Sequence, residues 1–225
     1  MAGKSGRTIA NVPEKSLKKT LFCWEGMLVV LFILINIFCA GISQSYQFSN
    51  VLREMPKYLT EMFLLFPMAF ILVLGEIDIS VGATVCLSAT MTCMASNKGL
   101  PFGMVILVAL LVGTVCGLVN GLILTNFQEL PPMIVTLGTQ IVFRGIAEIA
   151  LGSGGSISLT NADGFRMIAG KVGIIPYIFF VVIIMAVLFS VVLAKTTFGR
   201  SVYAIGSNRL AAYYSGIHVQ TIRLI

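Results

Sequence analysis

Long apolar runs constrain the possible folds of this chain more than any other feature of its sequence. Of its 225 residues, 57% are hydrophobic and only 11% are charged, whereas a soluble domain carries about 25% charged residues. A helix of about 20 apolar residues matches the thickness of a bilayer. The sequence therefore predicts an all-α integral membrane protein, folded as a polytopic helical bundle.

Six such runs predict six transmembrane helices. The third is short, about 24 Å long as a helix against a hydrocarbon core of ~30 Å. Pro67 is expected to kink the second helix or to end its first half. Residues 41–58 and 152–173 are predicted to be loops. The predicted spans are residues 21–40, 59–74, 81–96, 102–124, 132–151 and 174–194, which together make a membrane domain at 21–194.

Basic residues predict how these helices are oriented. The tail at residues 1–20 holds five Lys or Arg residues and the segment at 195–225 holds four, nine on one side, whereas the opposite loops hold five. Cytoplasmic loops of membrane proteins are enriched in Lys and Arg, so both ends, including the N-terminus, are expected in the cytoplasm. The net charge of +6 does not indicate nucleic-acid binding, because no basic stripe is interleaved with aromatic residues.

Signatures of catalysis are missing from the sequence. It contains no nucleophile–base pair, phosphate-binding loop, HExxH zinc motif or dinucleotide fingerprint. Its five cysteines and one histidine lack the spacing of metal ligands, so no metal site is predicted. A chain with polar residues inside its spans and no nucleotide site is better explained as a carrier or a pore than as an enzyme.

The stretch Gly75-Glu76-Ile77-Asp78-Ile79-Ser80-Val81-Gly82 places two carboxylates and a hydroxyl between apolar spans. A charge at bilayer depth costs roughly 2.5–3.5 kcal/mol per residue, so the stretch is expected either to be used or to reach water. It is either a tight cytoplasmic turn, with Ser80 capping the next helix, or the unwound middle of a broken helix. We slightly favour the turn. Glu76, Asp78 and Ser80 are candidates for a translocation path in either case.

Three further polar residues within the predicted spans are candidates for the same path. Asn120 is expected either to hydrogen-bond to a neighbouring helix or to line the path. Arg144 is expected either to pair with Glu148, four residues later, or to face a polar cavity. Thr136 lies in the same span as Arg144.

Gly113, Gly117 and Gly121 recur every four residues in the fourth span. Small residues on one helix face let another backbone approach closely. This face is therefore predicted to pack against a helix, which says nothing about a substrate.

A short surface helix is predicted after the last span. Asn208 can cap its start and Gly216 can end it, whereas Gly199 and Gly206 are interpreted as breaks earlier in the segment. The helix is expected to expose residues 211–214, two alanines followed by two tyrosines. This face either docks into a groove on a partner or is an ordinary amphipathic surface.

The polar residues within the spans are compatible with two classes of function. In proton-coupled secondary transport, Glu76, Asp78, Arg144 and Glu148 would form a relay inside the membrane. In the other class, the chain is a structural membrane subunit. Uptake in vesicles that is sensitive to collapse of the proton gradient would select the first class.

Four stretches together resemble the ribose-type permeases of bacterial ABC sugar importers, the group that also serves autoinducer-2 and rhamnose uptake. The similarity covers most of the chain, from about residue 50 to the end. The stretches are Gly75–Gly82; Gly117-Leu118-Val119-Asn120-Gly121; Pro131 to Thr139 with Arg144-Gly145; and Thr197 to Arg200 with Gly206 to Asn208, Ala211-Ala212 and Ser215 to Ile217.

The resemblance implies a multi-pass permease of the bacterial inner membrane that imports a monosaccharide or a related small polyol or carbohydrate. It implies alternating access driven by a cytoplasmic ABC ATPase, which would bind ATP and Mg²⁺, so no cofactor is expected in this chain. A second permease copy or paralogue and an extracytoplasmic sugar-binding protein are the other implied partners. Permeases of the family are longer, so the chain is expected to be an N-terminal portion.

By the same resemblance, residues 195–225 are expected to be the segment that couples the permease to the ATPase. The implied coupling residues are Gly199, Arg200, Gly206, Asn208, Ala211, Ala212 and Gly216.

Two residues depart from the family pattern. Glu76 stands where a second glycine is common, which adds a charge and makes the backbone less free. Leu210 stands where many importer permeases have Glu before the two alanines, which puts in doubt a salt bridge to the ATPase at this position.

Overall fold

The computed structural model describes residues 23–43, 46, 48–160, 163–168, 170–173 and 175–224. The predicted tail at residues 1–20 lies outside them. The helices are α1 (Trp24–Ile42), α2 (Phe48–Val73), α3 (Val81–Asn97), α4 (Phe102–Asn126), α5 (Pro132–Leu151), α6 (Asp163–Ile168), α7 (Tyr177–Lys195), α8 (Thr197–Ser207), α9 (Arg209–Tyr214) and α10 (Val219–Leu224), with a 3₁₀ turn at Gly152–Gly154. An antiparallel hairpin pairs β1 (Lys171–Val172) with β2 (Ile175–Pro176).

The chain divides into two compact units, residues 1–53 and 54–225. In the first unit, the hydroxyl of Tyr46 donates a hydrogen bond to Oδ1 of Asn36 in α1. The second unit contains all of the candidate functional residues, and the contacts described below lie within it.

The predicted all-α polytopic class is confirmed. In the part of the chain that the structure describes, four helical segments are long and apolar enough to cross a membrane, namely Arg53–Val73, Phe102–Asn126, Pro132–Gly154 and Tyr177–Lys195. A shorter apolar helix, Gly26–Ile42, corresponds to the first predicted span. Helix α3, with 17 residues, corresponds to the short third span.

The predicted loop at residues 41–58 is wrong in its second half, where α2 has already begun. This helix runs for 26 residues, and both Pro56 and Pro67 lie inside it. A proline in a helix removes one hydrogen bond and costs about 3 kcal/mol or more. The other bonds of so long a helix, and the ion pair between Glu54 and Lys57 one turn apart, favour the helical state. Pro67 therefore does not divide the second span.

Helices α3, α4 and α5 form the packed centre of the second unit. Helix α3 packs along both of the others. The residues buried together are Ala83 and Leu87 of α3, Cys116 of α4, and Phe143 and Ala147 of α5. Helices in lipid associate through close van der Waals packing, which small residues such as alanine permit. This packing brings the start of α3 close to α4 and α5.

Phenylalanine rings join α2 to α7 and α8. The rings of Phe66 and Phe70 in α2 each lie 5.6 Å from that of Phe189 in α7, centroid to centroid. The ring of Phe70 also lies 5.9 Å from that of Phe198 in α8. Aromatic pairs contribute about 0.5–1.5 kcal/mol beyond the area they bury. These contacts hold α7 and the segment that follows it, residues 195–224 (the C-terminal segment), against the last turns of α2.

The connections of the second unit gather at two opposite ends of its helices. At one end, the side chain of Asn97 donates a 2.8 Å hydrogen bond to the carbonyl of Ser158 and accepts a 2.9 Å bond from the backbone N of Thr160. The loop that the sequence predicts at 152–173 thus begins against α3, and it contains α6 and β1. At the other end, the residues after α2 meet the end of α4 and the C-terminal segment.

The short helix predicted between Asn208 and Gly216 is present as α9. Oδ1 of Asn208 accepts a 3.0 Å hydrogen bond from the backbone N of Ala211, which is the predicted cap. Gly216 has φ +83°, a left-handed conformation that suits glycine after a helix end. The expected exposure of both alanines is wrong, because Ala212 is buried on the face of α9 that packs against α8 and α10.

The sequence does not predict α8, because its two glycines suggest breaks. In the structure, Gly199 and Gly206 both lie inside this helix. A Cβ at Gly199 would lie 2.0 Å from the carbonyl oxygen of Leu193, and one at Gly206 would lie 1.9 Å from that of Val73. The glycines are therefore required for close approach between backbones, and they do not end the helix.

Candidate functional site

Residues 74–80 join α2 to α3 without being helical, and they are called the α2–α3 link below. Thr136 of α5 holds the backbone of this link. Its hydroxyl oxygen accepts a 3.2 Å hydrogen bond from the backbone N of Ile79 and lies 3.5 Å from the carbonyl oxygen of Ile77. The Thr136 side chain is buried. Its hydroxyl therefore takes the place of water as hydrogen-bond partner of backbone groups in the link that have no partner within a helix.

A second set of hydrogen bonds joins the α2–α3 link to α4. Oδ1 of Asp78 accepts 2.7 Å bonds from both the backbone N and the hydroxyl of Ser80. The amide of Asn120 donates a 2.7 Å bond to the hydroxyl oxygen of Ser80. Asn120 therefore makes the interhelical hydrogen bond that was one of its two predicted roles. Ser80 is the N-cap residue of α3, but its side chain accepts no capping bond from the helix; its hydroxyl bonds to Asp78 and Asn120 instead.

Glu76 forms ion pairs with two arginines from the C-terminal segment. Nη2 of Arg209 donates a 2.5 Å hydrogen bond to Oε1 of Glu76, and Nε of Arg223 lies 2.6 Å from the same oxygen in an ion pair without hydrogen-bond geometry. Glu76 and the Arg223 side chain are buried, whereas the Arg209 side chain is about half exposed. Nη1 of Arg223 also donates a 3.0 Å hydrogen bond to the carbonyl of Leu124 at the end of α4.

The sequence did not identify either arginine as a partner of Glu76. Arg209 lies 133 residues further along the chain, and no periodicity connects the two positions. The one available signal was Glu76 itself, because a carboxylate in place of glycine between apolar spans needs a cation or water. Removing one partner of a buried ion pair typically costs about 3–5 kcal/mol.

A cavity of about 470 Å³ lies beside the α2–α3 link. Its apolar lining comes from α2, the link, α4, the start of α5 and α10, and its polar lining comes from Glu76, Asp78, Thr114, Asn120, Thr136 and Arg223. The volume falls within the range of small-molecule pockets, about 300–1,000 Å³. Oδ1 of Asn120 is buried and has no hydrogen-bond partner among the described residues. Among the residues that the structure describes, no three His, Cys, Asp or Glu side chains lie close enough together to hold a metal ion.

The structure thus brings together five of the six path candidates, Glu76, Asp78, Ser80, Asn120 and Thr136. The sixth, Arg144, lies elsewhere. Its Nε forms a 3.1 Å ion pair with Oε1 of Glu148, one turn later on α5, and both side chains are exposed. The pairing is one of the two predicted roles of Arg144. The four residues of the hypothetical proton relay therefore do not lie in one network of contacts.

The glycine face of α4 is only partly covered by the described residues. A Cβ at Gly121 would lie 2.9 Å from the Leu224 side chain of α10, so this glycine permits close approach. A Cβ at Gly113 or Gly117 would have no atom within 4 Å. The packing role predicted for these two residues stays a prediction.

The coupling residues implied by the resemblance lie on α8 and α9 and at their ends. Gly199 and Gly206 permit backbone contacts, Asn208 caps α9, and Gly216 follows its end. Ala212 is buried and Ala211 is exposed. Arg200 is exposed, and its Nη1 lies 3.4 Å from the carbonyl oxygen of Lys195, which holds it near its own segment.

Comparison with known proteins supports a transport family. The family model described as branched-chain amino acid transport system, permease component, matches residues 62–225. Curated relatives include the autoinducer 2 import system permease protein LsrD of Escherichia coli (strain K12) and of Shigella flexneri, each 35% identical over 161 residues. These matches cover 68% of this chain and 48% of each relative, so the chain spans about half the length of the curated relatives it matches. No solved structure matches it significantly.

The predicted resemblance to ribose- and autoinducer-2-type permeases is therefore confirmed. The matched region contains the α2–α3 link, the three central helices and the C-terminal segment. The members of this family are transport subunits. The permease relatives and the apolar helices of this chain together support a multi-pass protein of the inner membrane. The chain belongs to the family of permease components of the branched-chain amino acid transport system type.

Proposed function

We propose that this chain forms part of the membrane-spanning permease subunit of an ATP-driven ABC importer. The imported molecule is a monosaccharide or a related small polyol or carbohydrate, and it moves by alternating access. A cytoplasmic partner ATPase binds ATP and Mg²⁺, so this chain supplies no cofactor site. An extracytoplasmic binding protein delivers the substrate, and a second permease, identical or related, completes the pathway.

The substrate class rests on sequence similarity. The relatives named above are permeases for autoinducer 2 import, and the four motif stretches resemble sugar permeases. The description of the family model names branched-chain amino acids. Leucine therefore belongs in any uptake experiment beside monosaccharides.

One observation supports the coupling function most strongly: the C-terminal segment docks directly onto the α2–α3 link. Gly206 of α8 lies against the carbonyl of Val73, and Arg209 of α9 pairs with Glu76. The link is bonded in turn to α4 through Asn120 and to α5 through Thr136. A force applied to α8 and α9 would therefore reach the central helices through contacts of less than 4 Å.

The outer surface of α9 is suited to an apolar partner surface. The exposed fraction is 69% for Leu210, 66% for Tyr213 and 83% for Tyr214. A cavity of about 940 Å³ opens beside Leu210 and Tyr213. Arg209 is engaged with Glu76, and Leu210 carries no charge, so we infer that the ATPase binds here mainly through apolar contacts.

The domain organisation and orientation follow from the same proposal. Residues 1–20 form a cytoplasmic tail, residues 21–194 the membrane domain and residues 195–225 the cytoplasmic coupling segment. The α2–α3 link then lies at the cytoplasmic end of its helices, because it contacts that segment. The cavity beside Glu76, Asp78, Ser80, Asn120 and Thr136 borders the translocation path.

Uptake by membrane vesicles tests the proposal. The full-length protein is expressed with an ABC ATPase and a binding protein from the same organism, and uptake of labelled monosaccharides and of leucine is measured. We expect monosaccharide uptake that requires internal ATP and the binding protein and that survives collapse of the proton gradient. Uptake that follows the proton gradient without ATP would contradict the proposal, and leucine uptake alone would correct its substrate class.

Co-purification identifies the partners independently of transport. Affinity capture of the full-length protein in mild detergent is expected to retain an ABC ATPase and a second permease chain. Recovery of the chain alone under conditions that preserve uptake activity would contradict the assembly.

A further inference from the structure

We propose that Glu76 is a positioning residue that fixes the coupling segment to the α2–α3 link, so that the two move as one body during transport. The inference rests on the proposed function above. Because Glu76 departs from the family pattern, it assigns a device to this chain and not to the family as a whole.

Three separate parts of the chain meet at this one carboxylate. Glu76 lies in the α2–α3 link, Arg209 begins α9, and Arg223 lies near the end of α10. Both arginines approach the same oxygen, Oε1, at 2.5 and 2.6 Å. Glu76 and the Arg223 side chain are only 8% and 4% exposed, so water contributes little to either charge.

Glu76 lowers the net charge at this point from +2 to +1. Two guanidinium groups lie near one carboxylate, and Arg223 is further anchored through the carbonyl of Leu124. If Glu76 were neutral, two positive groups would remain close together with one of them buried, and like charges repel strongly where water is excluded. Arg209, which is half exposed, would then turn toward solvent and release α9.

A second contact sets the same two segments in register. Gly206 lies so close to Val73 that a Cβ would stand 1.9 Å from the carbonyl oxygen. This steric contact holds the end of α8 at the end of α2. The ion pairs hold the start of α9 and the end of α10 at Glu76, three residues after Val73. Two contacts of different kinds on neighbouring residues resist both sliding and rotation.

Two other ion pairs among the described residues lie within single helices. Glu54 pairs with Lys57, and Arg144 with Glu148, each within one helix. A pair within one helix cannot transmit movement between elements. Glu148 therefore provides a matched carboxylate for comparison with Glu76.

The test uses the full-length protein, reconstituted in proteoliposomes with its ATPase and binding protein. ATP hydrolysis and substrate uptake are measured together, and their ratio reports coupling. Glu76→Gln keeps the size of the side chain and removes its charge. We expect it to lower uptake per ATP hydrolysed by at least about fivefold, the lower range of coupling between sites. Glu148→Gln is expected to leave the ratio unchanged, and Glu76→Asp to restore part of it.

Arg209→Gln keeps the inference testable if Glu76→Gln does not fold, because this arginine is half exposed. We expect a loss of coupling similar to that of Glu76→Gln, and a double variant no worse than the more severe single one. A wild-type ratio in Arg209→Gln or in folded Glu76→Gln would overturn the inference while leaving the proposed function intact. ATP-independent uptake by the wild type would overturn the proposed function instead, and this inference with it.

Discussion

The side-chain amide of Asn120 donates a 2.7 Å hydrogen bond to the hydroxyl of Ser80, which donates its own proton to Asp78 at 2.7 Å. This series of bonds runs from α4, one of the three helices of the packed centre, to the α2–α3 link. Ser80 and Asn120 are buried, so water cannot easily replace a lost partner. The position of the link therefore depends on α4.

Asn120→Ala is expected to lower the free energy of unfolding by about 1–3 kcal/mol, because it leaves the hydroxyl of Ser80 with one partner fewer. The midpoint of thermal unfolding in detergent measures the change. A double variant with Ser80→Ala should lose less than the sum of the two single losses. Thr60→Ala is the control, since that exposed hydroxyl bonds only to the carbonyl of Pro56 in its own helix. Additive losses would show that Asn120 and Ser80 act independently.

Gly206→Ala is expected to destabilise the docking of α8, because the new Cβ would lie 1.9 Å from the carbonyl oxygen of Val73. Overpacking of this kind costs about 1–3 kcal/mol. Unfolding midpoints and co-purification with the ATPase should both fall. Gly103→Ala adds the same methyl group where no atom lies within 4 Å and should be neutral. Equal behaviour of the two variants would contradict the contact.

Gly216→Arg is expected to abolish ATP-dependent uptake and to leave membrane insertion intact. Gly216 has φ +83°, and a side chain in that conformation costs roughly 1–2 kcal/mol. The new charge would also stand beside the apolar surface of α9. Uptake by vesicles and recovery in the membrane fraction measure the two properties. Normal uptake by Gly216→Arg would refute the role of this segment.

Variants of Asp78 test whether the α2–α3 link is a solvated cytoplasmic turn or lines the translocation path. Asp78→Asn keeps Oδ1 and both bonds from Ser80, so the unfolding midpoint should change little, whereas Asp78→Ala should lose about 1–3 kcal/mol. In a chain whose five native cysteines are replaced, Asp78→Cys should react with a membrane-impermeant reagent from the cytoplasmic side. Intact transport in Asp78→Asn combined with free labelling would exclude a path-lining role. Labelling only from the opposite side would contradict the proposed orientation.

The helices themselves were largely predictable. The boundaries of α3, α4 and α5 agree with the predicted spans within about two residues, because apolar runs and turn residues mark them locally. The start of α2 was not predictable in this way. Pro56 looks like a break, and only the length of the helix around it outweighs the lost hydrogen bond.

The candidate site was predictable in its members but not in its pairs. Asn120, Thr136 and the acidic stretch stand out as polar residues in apolar surroundings. Arg209 and Arg223 do not, because arginines after the last span look like ordinary cytoplasmic charges. Similarly, Gly206 looks like a break until Val73 is placed against it.

The sequence by itself determined the class of this protein, its family and the polar residues that needed explanation. Hydropathy and short motifs are local properties. A charge in a bilayer is therefore noticeable from the sequence even when its partner is far away in the chain. Only the tertiary structure decided that Glu76 meets the C-terminal segment, that Asn120 and Thr136 hold the α2–α3 link, and that Arg144 pairs on a separate surface. Contacts between residues far apart in the chain arise from packing in three dimensions, which no local pattern encodes.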